Sequence, residues 1–125
     1  MSLTVTSKEG RVGVFVVSPV GSIDSDTHTI LENKVDSIVE TSPTEIVFDM
    51  ESVDYISSAG VRVVLKTKKV LKKNEGRVIL MNLQPQIKKV FDIINALPSM
   101  TVFTSVRELD NYLDKMQRKV MGEEG

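Results

Sequence analysis

Glu45-Ile46-Val47-Phe48-Asp49-Met50-Glu51-Ser52-Val53-Asp54-Tyr55-Ile56-Ser57-Ser58-Ala59-Gly60-Val61-Arg62 is the stretch from which the fold can be read. Its first six residues form a short apolar run between Pro43 and an acidic turn. Such a run suits a central strand buried on both faces. A short extended segment, Val53 to Ile56, leads to a pair of serines, and there the period changes. Val61, Val64, Leu65 and Leu71 share a helical face, widened by Val63 and Val70. Asn74 and Gly76 read as the left-handed residues that close this helix. Strand, turn, extended segment and helix together make a unit of alternating α/β structure.

The flanks repeat the alternation. On the N-terminal side, Val12, Val14 and Val16 alternate with Gly13, Phe15 and Val17 in a strand rich in β-branched residues. A weaker run, Leu3-Thr4-Val5-Thr6, reaches it through a hairpin turn at Lys8-Glu9-Gly10, so the two strands pair antiparallel. Gly21-Ser22-Ile23-Asp24-Ser25-Asp26 reads as a loop of helix-capping side chains. Leu31, Val35, Ile38 and Val39 then mark a helix that stops at Thr41-Ser42-Pro43. On the C-terminal side, Arg77 to Leu83 is a strand, and Pro85 opens a helix carrying Ile87, Val90, Phe91 and Ile94. Leu97-Pro98 ends that helix. A short strand at Thr101-Val102-Phe103 precedes a last helix with Leu109, Tyr112, Leu113, Met116 and Val120 on one stripe.

The order β-β-α-β-α-β-α-β-α has no linker and no internal repeat. It predicts a single α/β domain over residues 1–125, structured from roughly residue 3 to 120. Its sheet is mostly parallel, of four to five strands, with an antiparallel N-terminal strand and about four helices.

Composition closes off several kinds of chemistry. A formal net charge of −1 across 125 residues leaves no global electrostatic footprint for nucleic acid or an anionic membrane. With no cysteine and one histidine, His28, neither a disulfide framework nor a thiolate or multi-histidine metal site can be built. No apolar run has the length of a membrane span and no signal peptide opens the chain, so the expected location is the cytoplasm. Arg62, Lys66, Lys68, Lys69, Lys72 and Lys73 crowd one helix. A docking face for an acidic partner competes there with the plainer reading, a solvated face that complements the helix dipole. No aromatic residues interleave with these charges, so direct nucleic-acid binding is not expected. Asp49, Glu51 and Asp54 read as turn chemistry, and nothing in the sequence calls for a metal, a cofactor or a catalytic triad.

The serine pair can do two things. A hydroxyl before a helix caps the free N–H groups of the first turn. If phosphorylated, it places a dianion where those N–H groups and the dipole favour negative charge. On these residues alone, capping is the commoner role.

The stretch resembles the signature of the STAS domain family, in which a strand and short loop lead to a serine-containing Ser-Ala-Gly turn and a hydrophobic helix. Gly21-Ser22-Ile23-Asp24 is similar to the family's Gly-x-Leu/Ile-Asp loop, and Val90-Phe91-Asp92 to its third helix. Length and element order fit as well, so the resemblance spans nearly the whole chain. It implies an anti-sigma factor antagonist, not an enzyme. Such a protein binds an anti-sigma factor that is also an ATP-binding serine kinase, is released when phosphorylated, and is reset by a serine phosphatase. Residue by residue, it implies phosphorylation at Ser58, with Ser57 as the alternative acceptor. It implies partner contacts at Asp24, Ser57, Ser58, Ala59, Gly60 and Arg62, and a monomer or weak dimer. Ser57 stands where many members carry aspartate. Ser58 is expected to be at least partly exposed and to cap its helix. Two alternatives remain open: an accessory subunit of a transport or lipid-handling complex, and a domain that binds a small ligand without phosphorylation.

Overall fold

Val14 to Ile23 forms a ten-residue strand, β2, and the rest of the sheet is arranged around it. The structure, a computed structural model, describes residues 2–96 and 105–122. Along one side of β2 runs β1 (Leu3–Glu9), antiparallel, with Leu3 opposite Gly21 and Glu9 opposite Phe15. Along the other side lie two short parallel strands end to end. β3 (Glu45–Asp49) pairs with Val14 to Val17, and β4 (Val53–Ile56) pairs with Gly21 to Ile23. β5 (Arg77–Met81) extends the sheet beyond β3, again parallel.

Among the described residues, five strands, one antiparallel and the rest parallel, fulfil the sequence expectation, with two changes of detail. Gly21 to Ile23 was expected in a loop but is strand, because β4 supplies a partner there. Val53 to Ile56, expected only as an extended segment, is that partner. Pro19 falls between the two pairings of β2, where no ladder on that side exists to be broken. The register shifts at Gly21, whose φ is +120°. A Cβ at that position would lie 2.3 Å from the Ser2 carbonyl oxygen, so this bulge admits only glycine. The expected strand at Thr101-Val102-Phe103 lies outside the described residues.

Ile46, Val47 and Phe48 are buried in succession, as a strand covered on both faces requires. The helices are α1 (His28–Val39), α2 (Ser58–Lys72), α3 (Pro85–Ala96) and α4 (Val106–Val120). α1 packs on α2 and on β1 and β2, whereas α3 packs on β4 and α4. Leu31, Val35, Ile38, Val61, Val64, Leu71, Ile87, Val90, Leu109 and Leu113 carry these faces into one core. α2 ends differently from its expected stop. Glu75, not Asn74 or Gly76, takes the left-handed conformation, at φ 61°. Gly76 is instead a close approach, its amide donating to the Leu71 carbonyl at 2.8 Å, and a Cβ there would lie a tight 3.0 Å from the Thr44 carbonyl oxygen. Among the described residues, no helix is long and apolar enough to cross a membrane.

Candidate functional site

β2 and β4 run parallel as neighbours, so their C-terminal ends open on the same side of the sheet. A helix starts just beyond each, and the two starts are stitched together. The Ser57 amide donates to the Ile23 carbonyl at 2.8 Å. Gly60, in the first turn of α2, sits against Ile23 and Ile56, and a Cβ there would lie 2.6 and 2.7 Å from their side chains. Glycine at 60 is therefore what lets α2 come down onto the ends of both strands.

The start of α1 is closed by its own neighbours. Asp24 Oδ1 accepts from the amides of Asp26 and Thr27, each at 2.9 Å. Thr27 Oγ1 accepts from the Asp24 amide and donates to the Ser22 carbonyl at 2.7 Å. His28 Nδ1 lies 3.0 Å from the Ser25 carbonyl oxygen, an ordinary turn contact. Asp24 thus closes the turn that leads into α1, whose N-cap is Thr27, and stands at the rim of the junction.

The start of α2 is closed from far away. Ser57, not Ser58, is the N-cap: its backbone is extended, and its Oγ accepts from the Gly60 amide at a long 3.4 Å. Ser58 is the first helical residue. Its amide donates to Asp110 Oδ1 of α4 at 2.9 Å, a carboxylate on a helix N-terminus, where the dipole favours it. Two residues back, Gln117 of α4 grips the edge of β4. Its Oε1 accepts from the Ile56 amide and its Nε2 donates to the Ile56 carbonyl, both at 2.9 Å. Gln117 is 1% exposed, and it does for β4 what another strand would do.

Ser58 is 8% exposed, against the expectation of partial exposure. It lines a groove of about 210 Å³ with Val61, Arg62, Leu65, Ile94 and Leu109. Among the described residues its Oγ is the buried side-chain polar atom with no hydrogen-bond partner. Native structures rarely leave such a group unpaired without a reason. Arg62 lies one turn beyond Ser58 and is exposed, and Leu65 is exposed at 42%.

A second, more open groove of about 550 Å³ lies between the Asp24 loop, β4 and α4. Asp24, Asp26, Asp54 and Asp114 line it with Tyr55 and Arg118. Burial first, and then the carboxylates of Asp114, Asp110 and Asp24, push the Tyr55 hydroxyl above its ordinary pKa, with Arg118 opposing. Among the described residues, no group of acids and histidine is arranged to hold a metal ion. Asp49 accepts from the Glu51 amide and from Asn82, in keeping with turn chemistry.

Of the residues singled out in the sequence, Ser57, Ser58, Ala59, Gly60 and Arg62 share the first turns of α2. Asp24 joins them through Ile23. Asp110 and Gln117 were missed. The last helix was expected to bury Leu109, Tyr112, Leu113, Met116 and Val120. In the structure Leu109, Leu113 and Gln117 are buried, while Tyr112 and Val120 are 40% and 39% exposed. Spacing of four from Leu109 and Leu113 does select position 117, but a polar residue there gave no apolar signal.

Comparison with known proteins bears on this arrangement. The family model described as the STAS domain matches residues 6–109. BtrV of Bordetella bronchiseptica, named as a candidate anti-sigma factor antagonist, is 33% identical over 93 residues, 74% of this chain and 80% of that protein. The crystal structure of an anti-sigma factor antagonist from Mycobacterium paratuberculosis superposes with a TM-score of 0.66 at 27% identity, covering 96% of this chain and 95% of that one. The unphosphorylated form of the anti-sigma factor antagonist SpoIIAA shares the fold, at a TM-score of 0.63 and 24% identity over 72% of this chain and 83% of that one.

Proposed function

The chain belongs to the STAS domain family, and we propose that it acts there as an anti-sigma factor antagonist switched by phosphorylation at Ser58. The observation that carries this reading is the Ser58 hydroxyl. It is unpartnered, at the first residue of α2, in a groove with Arg62. Relatives named as anti-sigma factor antagonists supply the partner class.

Unmodified, the exposed face around Arg62 and Leu65 docks on an anti-sigma factor that is itself a serine kinase of the ATP-binding type, and the sigma factor is freed. Phosphorylation adds about two negative charges at the opening of α2. An interface formed around a neutral hydroxyl must then desolvate or repel a dianion. A loss of about 3 kcal/mol lowers affinity roughly a hundredfold, enough to exchange partners. A serine phosphatase resets the state. In this scheme the protein is a substrate and a binder in the cytoplasm, without catalysis of its own.

Incubation with the cognate kinase and ATP tests the reading. One phosphate, mapped to Ser58 by peptide mass spectrometry, is the expected result. Ser58→Ala should abolish it while retaining kinase binding. Ser57→Ala should leave labelling largely intact. A phosphate on Ser57 moves the acceptor by one residue, and undiminished labelling of the Ser57→Ala, Ser58→Ala double variant overturns the assignment.

A further inference from the structure

Beside the hydroxyl that this switch needs stands a helix with no assigned part in it. α4 holds the junction at successive points along its length. Leu109 shares the groove with Ser58, Asp110 takes the Ser58 amide, and Gln117 takes both backbone groups of Ile56. Ser58 Oγ lies buried beside these contacts without a partner of its own.

We propose that α4 is a latch on Ser58, closed in the unmodified protein and released by phosphorylation. The inference rests on the switch reading above and adds a conformational change to it. In the transfer, Ser58 Oγ bonds to the γ-phosphorus of ATP and the bond from that phosphorus to the β–γ bridging oxygen breaks. ADP departs, and the hydroxyl proton passes to a base of the kinase. In-line attack needs an accessible Oγ, so Leu109 and Asp110 must withdraw first.

Afterwards the latch cannot close as before. A phosphate on Ser58 seeks the N–H groups of the first turn, and Asp110 already occupies the Ser58 amide. Two anions then compete for one donor. Arg62, four residues on and lining the same groove, offers the phosphate a cation. The phosphate's favourable position is therefore in the groove that Leu109 also lines. Both effects act on α4 in the same direction. Asp114, on the same helix, adds negative charge on that side, although Arg118 pairs with it at 3.1 Å. Phosphorylation in this scheme alters the surface well beyond the phosphate, because a whole helix leaves it.

The test uses the full chain with phosphoserine installed at position 58 during translation, so that no kinase is needed. Amide hydrogen exchange should be about tenfold or more faster across α4 than in the unmodified protein, with β3 and β5 unchanged. In an Asp110→Asn background the amide oxygen still accepts from Ser58 but the charge is gone. The acceleration caused by phosphoserine should then fall to about threefold or less. Unchanged exchange in α4 overturns the latch. So does acceleration that spreads equally to β3 and β5, which would mean the domain unfolds, or acceleration undiminished by Asp110→Asn. Kinase labelling away from Ser58 would overturn the switch reading and leave the exchange result standing, so the two failures are separable.

Discussion

The two helix starts at this end of the sheet solve one problem in opposite ways. α1 opens on a closed local circuit in which Ser22, Asp24, Asp26 and Thr27 satisfy each other within six residues. α2 opens on Asp110 and Gln117, 52 and 61 residues away from the groups they serve. Its own cap, Ser57 to Gly60, is long at 3.4 Å. A local circuit forms as soon as its few residues do and persists with them. A remote one exists only while α4 is docked, and its free energy of opening is that of one helix rather than of the domain. The second plan suits a switch, and the first suits a fixed frame beside it.

The largest effect should come from the strongest remote contact. Gln117→Leu keeps the volume and the packing of α4 but orphans both the N–H and the C=O of Ile56 on an edge strand. Two buried backbone groups left unpaired cost about 3 kcal/mol together. The urea midpoint should fall accordingly, with the m-value unchanged. A loss below about 1 kcal/mol would show that α4 is not what holds this edge, and the contrast between the two starts would collapse.

The local circuit should be weaker per residue and narrower in reach. Asp24→Ala removes the acceptor for the amides of Asp26 and Thr27, at a cost of about 1.5 kcal/mol. Asp24→Asn keeps an oxygen in the same place and should cost about 0.5 kcal/mol or less. Protection from exchange should be lost at residues 26–28 and stay intact at Ser58. Loss of protection at the Ser58 amide in Asp24→Ala would join the two starts into one cooperative unit.

The same distinction decides what could be read from the sequence. The strands from Val14, Glu45 and Arg77 and all four helices announce themselves by period, because side-chain spacing is a local property. Asp24 is legible in part for the same reason: it stands in a run of turn and capping side chains just before an amphipathic run. β4 was only half legible. Four residues make a weak period, and what turns Val53 to Ile56 into a strand is the free flank of β2 beyond Val17. Asp110 and Gln117 were not legible, since nothing near them in the chain reports the backbone groups they meet. At Gln117 the stripe continues in a polar residue, which carries no apolar signal.

The smallest effects fall on the serine pair, and they bear most directly on which serine does what. Ser57 is the cap, so Ser57→Ala should cost about 1 kcal/mol, at the low end if the 3.4 Å bond is weak. Ser58 caps nothing. Its Oγ is buried without a partner, and deleting it removes an unmet polar group from the interior. Alanine is also the better helix former at a helical position. Ser58→Ala should therefore lie within about 0.5 kcal/mol of the native protein and on the stabilising side. Chemical denaturation of the two variants side by side measures the difference, because errors of extrapolation largely cancel between them. If Ser58→Ala proves the less stable of the two, Ser58 is the residue that closes the helix. Its hydroxyl would then be spoken for before any kinase arrives, and the remote start of α2 would be no more available for switching than the local start of α1.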